Sequence, residues 1–125
     1  MILLLDAHAL LWWADDRPTL SDGARRAIAD PLNDVLVSAA SVWELSVKQS
    51  LGKLRIGADL EVAIEEAGFS GLPVTLADGI AAGGLPPHHA DPFDRMLVAQ
   101  AQRLEAVIVT RDRAFAAYDV SVLTA

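Results

Sequence analysis

Four acidic residues far apart in the chain, Asp6, Glu44, Asp94 and Asp112, have the type and local setting to hold divalent cations in one pocket. Asp6 directly follows the apolar run Ile2–Leu5, and Asp112 lies three residues beyond the run at 106–109. Glu44 is expected in the first turn of a helix opened by Ser41, and Asp94 in the first turn of a helix opened by Asp91-Pro92. Parallel sheets bind ligands at the carboxyl ends of their strands, so all four acids are expected near one rim. Carboxylates a few ångströms apart repel and raise one another's pKa, and a cation relieves that repulsion. The chain has no cysteine, which leaves oxygen donors, with imidazole as a supplement, and these favour a hard ion such as Mg²⁺ or Mn²⁺. A two-metal site can activate a water and stabilise the attacking and leaving oxygens of an in-line phosphoryl displacement. Phosphodiester hydrolysis is therefore the chemistry this set fits best.

Each acid also has a plain helix-capping explanation. Ser41-x-x-Glu44 has the form of a capping box, and Asp91-Pro92-Phe93-Asp94 offers an N-cap, an N1 proline and an N3 acid. Asp6 and Asp112 can complement helix dipoles. Capping accounts for acids at helix starts anywhere, but not for four of them at strand-exit positions of one sheet.

The elements that must position these groups alternate between short apolar runs and helical periodicity, in the manner of βα units. Strands are expected at Ile2–Leu5, 34–37, 72–74 and 106–109, with an edge strand at 120–123. Helices are expected over 8–14, from the Ser21 cap to near Pro31, from Ser41 to Gly52, over 58–67, after the Thr75 cap, and over 91–104. The order β-α-α-β-α-α-β-α-α-β-α-β predicts an α/β three-layer sandwich around a mostly parallel central sheet of four to five strands. No linker or repeat divides residues 1–125, which read as a single domain.

With 53% hydrophobic residues the chain can bury a sizeable core, and its surplus of small aliphatic residues leaves apolar surface for a homodimer interface. The apolar N-terminal stretch is interrupted by Asp6 and His8 and lacks a basic leader and a cleavage site, so a cytoplasmic protein with no membrane contact is expected. Ten Lys+Arg against 17 Asp+Glu give a net charge of −7, which argues against broad electrostatic capture of nucleic acid. Metal ligands offset that objection locally, because phosphate can be reached through cations rather than lysines.

Other residues carry paired readings. Thr110 can orient a catalytic carboxylate or cap a helix, and Asp91 reads as the cap of its helix. His88 and His89 read mainly as surface histidines of a proline-rich loop, with contact to a substrate phosphate or an outer-sphere metal water as the other use, and His8 reads as turning away along its helix. Arg95, Arg111 and Arg113 can contact substrate phosphates or neutralise neighbouring acids, whereas Lys48 suits an i,i+4 ion pair with Glu44. Trp12, Trp13 and Trp43 read mainly as core or interface residues, with base stacking or docking of a partner protein's helix as the other uses.

The segments LLLDAHALLW, SAASVWELSVK, HHADPFDRMLVAQA and VIVTRDRAF, in this order and spacing, resemble the PIN-domain family, particularly VapC-type toxins. The resemblance spans nearly the whole chain, and the DPFDR segment is its sharpest part. It implies a Rossmann-like PIN fold and Mg²⁺- or Mn²⁺-dependent cleavage of RNA under control of a cognate, VapB-like antitoxin. The family's acidic positions fall on Asp6, Glu44, Asp94 and Asp112 as both metal-binding and catalytic residues, with Asp91 as an additional acid nearby.

Two other classes compete. A receiver-type signalling domain needs an acidic pair after its first strand and a late lysine, but Ala7 follows Asp6 and no lysine follows Lys53. A haloacid-dehalogenase-like phosphatase needs an aspartate where His8 stands. A catalytically silent PIN-like protein-binding module remains as the alternative, and retention of all four acids weighs against it. The histidines lack the spacing of a zinc hydrolase.

Overall fold

The computed structural model describes residues 1–125. Five strands, β1 (Ile2–Leu5), β2 (Asp34–Ser38), β3 (Ser70–Leu72), β4 (Val107–Thr110) and β5 (Ser121–Thr124), form one parallel sheet in the order β3-β2-β1-β4-β5. The helices are α1 (Ala7–Ala14), α2 (Asp22–Ala29), α3 (Ala39–Ser50), α4 (Leu60–Glu66), α5 (Leu76–Gly83) and α6 (Pro92–Leu104), with a short 3-10 helix at Arg113–Ala117. The sandwich and strand number match the sequence-based expectation. No helix is long and apolar enough to cross a membrane.

Residues Leu3, Leu4 and Leu5 are all fully buried because β1 is central and covered on both faces, which is why its sequence is a continuous apolar run. Side chains alternate across the pleat. Leu3 and Leu5 join Leu10, Leu20, Ile28, Val35, Val37 and Leu45 on one face. Leu4 joins Leu97, Val98, Ile108 and Phe115 on the other.

Two boundaries differ from expectation, each for a physical reason. Strand β3 ends at Leu72 rather than running from 72 to 74, since Pro73 has no N–H to donate and the pairing to β2 places Gly71 beside Val37. Helix α3 begins at Ala39, not at Ser41. Its N-cap is Ser38, the last residue of β2, whose hydroxyl accepts from the Ala40 N–H at 3.1 Å. The strand runs into the helix without a loop, so the expected Ser41 capping box does not form and Glu44 moves from the first helical turn to the second.

Chain order along the sheet reverses between β1 and β4: β2 and β3 are added on one side of β1, β4 and β5 on the other. This switch point leaves a crevice at the carboxyl ends of β1 and β4 where the loops diverge.

Candidate metal centre

Both strands bordering the crevice deliver an acid directly. Asp6, the residue after β1, is the N-cap of α1, and its Oδ1 accepts from the Ala9 N–H at 2.8 Å. Thr110, the last residue of β4, donates its hydroxyl to Asp6 Oδ2 at 2.6 Å and accepts from the Asp112 N–H at 3.0 Å. Thr110 thus orients a carboxylate, as one of its two readings anticipated, and the helix-capping role falls to Asp112 instead. Asp112 Oδ1 accepts from the Ala114 N–H at 2.9 Å at the start of the 3-10 helix.

The remaining acids arrive from helices on either side. Glu44 is buried on α3, and Asp94 stands in the first turn of α6, whose N-cap Asp91 accepts from the N–H groups of Phe93 and Asp94. Asp6, Glu44, Asp91, Asp94 and Asp112 line one cleft of about 170 Å³ together with His8, Lys48 and His89. All four acids singled out in the sequence therefore face the same space. Ligand atoms of Glu44, Asp91 and Asp94 lie within 4.8 Å of one another, as do those of His89, Asp94 and Asp112, so Asp94 is shared by two triads. Asp6 lines the cleft but belongs to neither triad.

Charge in the cleft is unbalanced. Lys48 Nζ reaches Glu44 Oε2 at 2.6 Å, the i,i+4 pair expected, and that hydrogen bond raises the lysine's pKa. No other lysine or arginine lines the cleft. Burial pushes Asp6 up from its ordinary value, against the pull of its Thr110 and Ala9 hydrogen bonds. Burial, then the charges of Asp91 and Glu44, push Asp94 up to about 7. Carboxylates held this close with one ammonium group among them form a donor set of the kind hard divalent cations take.

Several expectations need correction. His89 is not a surface histidine: its Nε2 sits 2.8 Å from Asp94 Oδ2 and 3.1 Å from Asp112 Oδ2. His8 stays at the rim of the cleft rather than turning away from it. Asp91, set aside as a cap, is both cap and cleft residue. Arg95 neither faces the acids nor stands free for phosphate, because its guanidinium donates to the carbonyls of Ala82, Leu85 and Pro86 at 2.9, 3.0 and 3.1 Å. Arg111 donates to the carbonyls of Thr19 and Ala125 and lies over the Trp12 ring, while Arg113 is exposed. No spacing in the chain marks the role of His89, which is set by Asp94, Asp112 and Tyr118. Trp12 and Trp13 pack against the core, but Trp43 is 64% exposed and meets Phe93 edge-on at a cleft shared with Val74 and Met96.

Comparison with known proteins agrees with this architecture. No curated protein matches the chain. Among solved structures, the chain is similar to one in VapBC2 from Rickettsia felis bound to a DNA fragment from its promoter, with a TM-score of 0.71, 14% identity and 98% of each chain covered. It is similar to a chain of FitAcB from Neisseria gonorrhoeae, with a TM-score of 0.67, 23% identity, and 98% of this chain and 96% of that one covered. A toxin-antitoxin complex from Klebsiella pneumoniae gives 0.64 and 18%, again covering 98% and 96%. These likenesses establish a common fold. The PIN domain family matches over residues 3–121, and with the sheet order and the acid-lined switch point this places the chain in the PIN domain family.

Proposed function

We propose that this protein is a divalent-metal-dependent endoribonuclease, and that it is the toxin of a toxin-antitoxin pair neutralised by a cognate antitoxin. The observation that carries the reading is the convergence of Asp6, Glu44, Asp94 and Asp112 from four separate segments on one cleft at the switch point. These four would hold Mg²⁺ or Mn²⁺, with Asp94 central because both triads share it. A divalent cation bound there supplies charge neutralisation for the acids and Lewis acidity toward a phosphodiester. The chain's own groups do the positioning. Thr110 fixes the rotation of Asp6, the Ala114 N–H fixes Asp112, and Lys48 holds Glu44. Asp112, 45% exposed, stands at the mouth where an RNA backbone would enter, with the exposed Arg113 next to it to meet a phosphate.

The antitoxin half of the proposal draws on the likeness to a chain of a toxin-antitoxin complex from Klebsiella pneumoniae and on apolar surface left uncovered. Leu76 is 89% and Ile80 79% exposed on α5, near the cleft lined by Trp43, Val74 and Met96. Surface of this kind serves protein contacts, with an antitoxin or in a homodimer. A cytoplasmic setting follows for an enzyme acting on cellular RNA.

The test is incubation of the purified chain with structured RNAs, with and without Mn²⁺. Cleavage that requires Mn²⁺ and is lost with EDTA and in Asp6→Asn supports the enzyme. Full activity in Asp94→Asn sinks the site assignment, and no cleavage of any RNA by the antitoxin-free protein favours the silent binding module.

A further inference from the structure

The side chain of His89 makes contacts that a loop histidine has no reason to make. Its Nε2 lies between two carboxylate oxygens from different elements, Asp94 Oδ2 on α6 at 2.8 Å and Asp112 Oδ2 after β4 at 3.1 Å. The other ring nitrogen, Nδ1, accepts from the Asp91 N–H at 3.3 Å. A nitrogen that accepts carries no proton, so in the neutral ring the proton is on Nε2, where it is donated to Asp112 Oδ2, while Asp94 Oδ2 lies close to the same nitrogen without hydrogen-bond geometry. That arrangement makes His89 a donor to Asp112 rather than a ligand, since ligation would need a lone pair on Nε2 and an acceptor opposite Nδ1.

The ring is held from behind. The His89 N–H donates to the Tyr118 hydroxyl at 2.9 Å, and that hydroxyl donates to the Pro86 carbonyl at 2.8 Å. Arg95 gathers the same loop by its carbonyls, including Pro86 and, at 3.4 Å, His89 itself. Phe115, fully buried, meets the imidazole edge-on at 6.0 Å between ring centroids. An arginine with so many backbone acceptors and a tyrosine hydroxyl used in both directions fix a loop that carries no catalytic acid of its own. What they fix is the position of His89.

We propose that His89 is a positioning residue of the metal centre, its Nε2–H holding Asp112 Oδ2 beside Asp94 so that two ligands from separate elements are already at cation-binding separation before the ion arrives. This rests on the nuclease reading above. Asp112 Oδ2 gives one lone-pair direction to the imidazole, and its other direction and the carboxylate of Asp94 are left to the cleft. Hydrogen-bond partners of metal-ligating carboxylates hold ligand geometry, and their loss typically weakens metal affinity by about 10–100-fold.

The measurement is Mn²⁺ affinity of the full chain, without RNA, by titration calorimetry. His89→Ala is expected to raise the Mn²⁺ Kd by about tenfold or more. His89→Gln, whose amide N–H reaches about as far as Nε2, is expected to restore most of the affinity, whereas His89→Asn, too short to reach, is expected to behave like His89→Ala. A role confined to loop stability would not separate Gln from Asn in this way. If His89→Ala does not fold, the Gln and Asn variants decide the question between them. Wild-type affinity in His89→Ala overturns the proposal and leaves the nuclease reading standing. Tighter binding in His89→Ala overturns it too, because the ring would then occupy the place of the cation. Failure of the wild-type chain to bind Mn²⁺ overturns both.

Discussion

Asp94 offers a direct test of how the cleft stores charge. In the metal-free protein its carboxyl is pushed from 3.8 up to about 7, by burial first and then by Asp91 and Glu44. A carboxyl whose folded pKa lies above its unfolded one stabilises the fold while protonated. That contribution is complete below pH 3.8 and is lost as pH rises through about 7, so the metal-free protein is expected to be less stable at pH 8 than at pH 5. Each pKa unit corresponds to about 1.4 kcal/mol, about two of the three units are lost between pH 5 and pH 7, and screening by water at the cleft mouth leaves about 1–1.5 kcal/mol for that window. For a chain of this size that is a fall of roughly 3–7 °C in Tm. Burial raises Asp6 in the same sense, while the lowered pKa of Asp78 acts only below pH 4 and does not enter this window. The assay is thermal melting in EDTA from pH 5 to pH 8 for the wild type and Asp94→Asn. The variant, which has no charge to form, is expected to melt above the wild type at pH 8 and to show a flatter pH profile. A wild-type Tm that does not fall, or an unchanged slope in Asp94→Asn, would refute the account of the cleft as an uncompensated acid cluster.

Three further outcomes follow from contacts outside that cluster of charges. Thr110→Val removes the hydroxyl shared by Asp6 and the Asp112 N–H and leaves a buried carboxylate oxygen unpaired. Chemical denaturation is expected to show a loss of about 1–3 kcal/mol, with Thr110→Ser near wild type. Buried Asp78 is held down at about 2 chiefly by Arg103, so its stabilising effect is present above 3.8 and lost as pH falls toward 2. Arg103→Gln is expected to unfold at a higher pH in an acid titration followed by circular dichroism. Arg95→Ala frees the carbonyls of Ala82, Leu85 and Pro86, and hydrogen exchange is expected to speed up across residues 82–89 while the protection of β1 and β4 is unchanged.

Features fixed by local chemistry could be read in the chain, and those fixed by distant partners could not. The triple leucine of β1 is legible because a strand buried on both faces needs apolar residues at every position. The start of α6 is legible because Asp91-Pro92 supplies a cap and a preset φ. Strand β3 reads poorly, since Ser70 and Gly71 have little strand preference and are extended only by pairing with β2. Two serines compete to begin α3, and Ser38 prevails because β2 continues straight into the helix. The role of His89 depends on a tyrosine 29 positions away and on carbonyls gathered by Arg95, whose adjacency to Asp94 made a charge contact seem its natural use.

Capping and metal binding look like rival explanations for the same acids when only the chain is in view. In the structure each capping acid spends one carboxylate oxygen on its cap and keeps the other for a separate partner or the cleft. Asp6 caps α1 with Oδ1 and gives Oδ2 to Thr110, and Asp112 caps with Oδ1 and turns Oδ2 to His89. Asp91 caps α6 with Oδ1 alone. A carboxylate tied through one oxygen to a helix N-terminus has lost most of its rotational freedom, and its second oxygen is aimed by the backbone itself. The helix dipole favours the charged form at that place, which partly offsets the repulsion among the acids. Capping is therefore the device that would let a folded chain hold this cleft open without an ion in it. Caps alone do not explain why Asp6, Asp91 and Asp112 line one cleft together with Glu44 and Asp94, which cap nothing.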